Sequence, residues 1–157
     1  MPETMTAQSL AKQLLETYIL GEEDHSDGLA ALSGIPPLKL FKERCFLRLF
    51  LIDLFTWEFM RHDRAEVREK LLNELHEQMR AVEELDASRE AIFRRDTGYL
   101  HAVHNPHPTL GEPWEIGKVF IDLCEPCVWT NTELLVAAEY AFANTLLSDV
   151  CQSIEIT

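Results

Sequence analysis

Residues 45–60 read CFLRLFLIDLFTWEFM, the longest apolar stretch of the chain. It is too short, and with Arg48 and Asp53 inside it too charged, to span a bilayer, so it must find its cover in protein. The stretch belongs to a helix that begins at Pro37, a residue suited to a first helical turn, and runs to about His62. On a 100° wheel Lys39, Lys42, Glu43, Asp53 and Arg61 gather on one side, but Phe46, Phe50 and Trp57 fall there too. The far side carries Phe41, Ile52, Phe55 and Phe59, together with Arg44 and Arg48. A helix apolar nearly all round is either central in its fold or half of an interface.

A fully central helix is hard to build in a domain of 157 residues. The segment 38–62 therefore points to a helical protein partner, most simply a second copy of the chain in a twofold dimer, with Phe46, Phe50 and Trp57 at the interface. The competing reading is a well-buried core helix. Arg44 and Arg48, one turn apart among aromatics, need carboxylates if they are buried.

The remainder also reads as helix. Residues 6–20 place Leu10, Leu14 and Tyr18 at helical spacing before Gly21. From an N-cap at Asp63 to about Leu85, the stripe Val67, Leu71, Leu75, Met79, Val82 and Leu85 predicts a third helix. Ser88 can cap a fourth, with Ile92, Tyr99 and Val103 facing one way, and only Asp86-Ala87-Ser88 separates it from the third. Ile116, Val119, Phe120 and Leu123 predict a short helix after the loop NPHPTLGEP. Thr130 and Glu133 form a capping box that opens a last helix to about Ser153. No stretch alternates as a strand would. The expectation is one all-α domain over residues 1–157: an antiparallel bundle of about four long helices with one or two short ones, and short flexible ends at 1–5 and 154–157.

Charge restricts the partners. With 27 acids against 14 bases the chain carries −13, which repels phosphate backbones and anionic lipid, so neither a nucleic acid nor a membrane is expected. The first residues, MPETMTAQSL, lack the basic and apolar regions of a secretion signal. A cytoplasmic setting with reduced thiols follows as the expectation for Cys45, Cys124, Cys127 and Cys151.

The histidines supply the main chemical motif. His101, His104 and His107 lie within YLHAVHNPHP, and His101 and His104 share one helical face. Reading on from His104 gives H-x2-H, sixteen residues, then Cys124-x2-Cys127, an N2S2 set of the kind zinc accepts. A second metal set joins His101 and His104 to Glu58 and His62, which are i and i+4. Against both stand simpler roles: a histidine near a helix C-terminus is favoured by the dipole, and a free cysteine serves as a small core residue. No phosphate-binding glycine loop and no nucleophile elbow appears. The leading expectation is an acidic module that binds protein, and the alternative is a helical protein, in one version a metal-dependent enzyme, holding zinc or another transition metal at the His101/His104 cluster.

Overall fold

A computed structural model describes residues 3–21, 34–60, 64–124 and 132–157, with the side chains of 132–135 left aside. The described chain is mostly helical, with six α-helices, which establishes the all-α class. The segments are α1 (Ala7–Leu14, running on as a π-turn over Leu15–Ile19), α2 (Pro37–Phe59), α3 (Ala65–Arg80), α4 (Arg89–His104), α5 (Glu112–Cys124) and α6 (Thr132–Ser153). Among the described residues no helix is long and apolar enough to cross a membrane.

Local chemistry places most boundaries. The Thr6 hydroxyl accepts the Ser9 amide at 3.1 Å and starts α1. Pro37, with no amide hydrogen to leave unpaired, opens α2. Ser88 caps α4 by accepting the Ala91 amide at 3.1 Å. Between α3 and α4 the chain does not run on as one bent helix. Val82 turns extended, Glu83–Leu85 form a single 3-10 turn, and Asp86 takes a left-handed conformation at φ 50°, which aspartate tolerates. The third helix therefore ends at Arg80, short of the expected Leu85. The expected caps Asp63 and Thr130 lie outside the described residues.

Helix α2 resolves the question its sequence raises. It packs against α6, α5, α4, α3 and the π-turn, so most of its apolar circumference is covered from within this chain, with Leu38 and Trp57 near its ends left exposed. Phe46 and Phe50, expected at an interface, are 3% and 1% exposed and belong to the core. A second copy is not needed to bury them, because α1 and α3 pair with each other and leave α2 free to run through the middle of the others. Trp57 alone of the three expected interface residues faces solvent, at 65% exposure.

Two buried ion pairs lock this central helix. Arg48 grips Glu139 of α6 with Nε and Nη2 at 3.0 and 2.6 Å. Its Nη1 donates to the carbonyls of Tyr18 and Gly21 at 2.6 and 3.0 Å. Arg44 also reaches the Gly21 carbonyl, at 3.2 Å, and the Cys45 thiol donates to the carbonyl of Ile19. These bonds satisfy acceptors that a helix end leaves without internal partners. The second pair joins Glu43 to Arg95 of α4 through Nε and Nη2 at 2.8 and 2.5 Å, with the guanidinium 4.0 Å from the Phe46 ring centroid.

Gly98 has a packing reason. A β-carbon there would stand 3.1 Å from Cγ1 of Val119, so glycine permits the close approach of α4 and α5. The ends differ from expectation as well. Residues 3–5 and 154–156 form a two-stranded parallel ladder, Glu3 opposite Ile154 and Met5 opposite Ile156, where loose ends were expected. Three-residue strands carry too few side chains to show an alternation.

Candidate functional site

The last two turns of α2 emerge from the core beside α3, and here the largest described cavity opens. It has a volume of about 600 Å³ and is lined by Leu54, Trp57, Glu58, Met60, Ala65, Arg68, Val103 and Glu112. A neighbouring cavity of about 340 Å³ shares Leu54, Trp57, Arg68 and Val103 and adds Phe50, Asp53, Leu100 and His104. The two form one cleft divided by the Trp57–Arg68 ridge. Its floor is apolar, and its polar groups stand at the rim.

The ridge is held by a small network. Arg68 forms a close ion pair with the Asp53 carboxylate and also donates to the Asp53 carbonyl at 3.0 Å. Its Nε donates to the Thr56 hydroxyl at 3.2 Å, while that hydroxyl donates to the Ile52 carbonyl at 2.6 Å. The guanidinium lies 5.2 Å from the Trp57 ring centroid, within cation–π range. Arg68 therefore braces the indole from one side while most of Trp57 stays exposed.

Carboxylates dominate the remaining polar surface. Glu112, first in α5, accepts the Tyr140 hydroxyl at 2.9 Å. Burial, this hydrogen bond and the charges of Glu112 and Glu58 hold the Tyr140 phenol above its ordinary range. Behind Asp53, burial and then the Asp53 charge push the Asp96 carboxyl up to about 6. Burial raises Asp53 too, against the pull of Arg68 and His76. His76 is lowered by burial, although Asp53 acts the other way.

The metal-ligand sets fare differently. His104 borders the smaller cavity, and Glu58 the larger, on opposite sides of the ridge. His101 is exposed, and its Nδ1 lies 3.0 Å from the Asn105 side-chain amide. His107 is built into its own loop: its Nδ1 accepts the amides of Thr109 and Leu110 at 3.1 and 2.9 Å, and its backbone pairs with Gly111 at φ +76°. Burial pushes the Cys124 thiol up to about 12, so it is a protonated core group at neutral pH. His62 and Cys127 lie outside the described residues. Among the described residues no three histidine, cysteine or acidic side chains converge as a metal site would require.

Sequence patterns single out Trp57 as an interface residue and Glu58 and His104 as members of one metal set, and the fold brings all three to one cleft. They give no sign of Arg68, Asp96, Glu112 or Tyr140. Only the placement of Asp53 on the polar side of α2, next to Trp57, carried a signal. Comparison with family models, curated proteins and solved structures finds no match to this chain.

Proposed function

We propose that this chain is a cytoplasmic protein-binding module, an antiparallel bundle of long helices that receives a basic, amphipathic partner segment in the cleft around Trp57. The observation that carries this reading is the exposed indole itself. A tryptophan 65% exposed, braced by Arg68 above an apolar cavity of about 600 Å³, is what an anchoring contact requires.

Charge selects the partner. Glu58 and Glu112 rim the larger cavity, and the one cation among its described lining residues, Arg68, is committed to Asp53. A molecule at −13 also attracts basic segments over a distance and repels acidic ones, its own copies included. The matching occupant is a helical segment with a leucine or aromatic anchor and flanking lysine or arginine. Phe50 lines the smaller cavity from within the core, and Phe46 lines neither.

The experiment is a calorimetric titration with two synthetic helical peptides of equal positive charge, one leucine-and-lysine and one alanine-and-lysine, alongside the chain's mass in solution. The proposal expects saturable one-to-one binding of the leucine peptide only. Equal binding of both peptides would reduce the effect to net charge and sink it. Self-association that excludes the peptide would identify a second copy of the chain as the occupant instead.

A further inference from the structure

Further along α3 a second, polar cavity of about 400 Å³ lies between the end of α3 and the start of α4, lined by Asn73, His76, Glu77, Arg80 and Arg89. We propose that this cavity binds a phosphate group, either free or carried as a monoester. Two guanidiniums, an imidazole and a side-chain amide line it together with one carboxylate, that of Glu77, on a molecule that is strongly acidic as a whole. Guanidinium forks match the oxygen geometry of phosphate, and an imidazole and an amide add donors at the angles the forks leave open.

Neither arginine is held by a close ion pair among the described residues. Arg89 makes no ion pair among the described residues and sits in the first turn of α4, where the helix dipole disfavours a cation. Arg80 reaches the Glu77 carboxylate only at 3.7 Å, and that carboxylate is 71% exposed. An exposed pair of this kind is worth little and opens readily.

His76 supplies the coupling. It feels Asp53 of α2 and Arg80 of α3, and Glu77 and Arg89 share its cavity. Burial keeps its ring neutral near pH 7. A bound phosphate would add a second negative charge near the ring, so the ring takes up a proton as the anion binds.

The test is titration of the full chain with inorganic phosphate at low ionic strength, followed by calorimetry and by the His76 ring signals in NMR. The expected result is saturable binding with an upward move of the His76 titration midpoint. Arg89→Gln and Arg80→Gln should each weaken binding about tenfold. Arg94→Gln, an exposed arginine of the same helix outside the cavity, should leave it unchanged. An equal response to chloride at matched ionic strength, or an equal loss in Arg94→Gln, would overturn the proposal. Phosphoserine peptide and hexose phosphate are then compared, and the tighter of the two identifies what carries the group.

Discussion

Two halves of α2 use the same chemical parts to opposite ends. In residues 43–48 each arginine–carboxylate pair is buried, bidentate and set against an aromatic ring: Glu43 with Arg95 over Phe46, and Arg48 with Glu139 beside Tyr18. In residues 53–57 the pair is Asp53 with Arg68 beside Trp57, with side chains 36% and 17% exposed. The first arrangement joins α2 to α4 and α6 and keeps its charged side chains almost wholly out of solvent. The second leaves its ring in solvent and a cavity on either side. Burial decides which is structural and which is available, because a desolvated charge must keep its partner while a half-wet one can exchange it.

The sharpest way to break this comparison is to cut a buried pair. Glu139→Ala leaves the Arg48 guanidinium in the core without its carboxylate, and denaturant unfolding should show a loss of about 3–5 kcal/mol. Replacing both partners, Arg48→Met with Glu139→Leu, should recover only part of this, since the carbonyls of Tyr18 and Gly21 lose their donor.

The acidic group behind the cleft gives a smaller effect with a defined pH window. The Asp96 carboxyl sits at about 6 in the folded chain, above its ordinary 3.8. The folded state thus binds the proton more tightly than the unfolded one, and the contribution of Asp96 to stability falls as pH rises from about 4 through 6. Asp96→Asn should therefore raise stability at pH 7 by about 1–2 kcal/mol and leave it unchanged near pH 4. His76, lowered in the fold, acts with the opposite sign below its ordinary 6.5, so the difference between variant and parent isolates Asp96. A gain that persisted at pH 4 would remove the linkage explanation.

Arg68→Ala should cost about 1 kcal/mol or less, in contrast to Glu139→Ala, because its pair is partly hydrated. It should also red-shift the indole emission as Trp57 loses its brace. A cost equal to that of the buried pair would erase the distinction between the two halves.

The sequence shows α2 clearly, because an all-round apolar helix needs no partner to be recognised. It does not show whether the cover comes from the same chain. That depends on α4, α5 and α6 closing around it, over separations such as the 91 residues between Arg48 and Glu139. The need of a buried Arg48 for a carboxylate is legible, whereas the identity of Glu139 is not. Ser88 marks its helix start by a local side-chain bond, but the break after Arg80 rests on backbone conformations at Val82 and Asp86 that no periodicity encodes. The cleft was half visible: Trp57 stands out as a large ring beside Asp53 and Glu58, while Arg68 reaches them from another helix and leaves no spacing to read.

The most direct measurement takes Trp57→Ala through unfolding and leucine-and-lysine peptide titration on the same preparation. An exposed indole outside the core contributes less than about 1 kcal/mol to stability, yet as an anchor it should weaken peptide binding tenfold or more. Unchanged stability with lost binding is the predicted result. A large loss of stability, or undiminished binding, would contradict the assignment of this end of α2 to a partner.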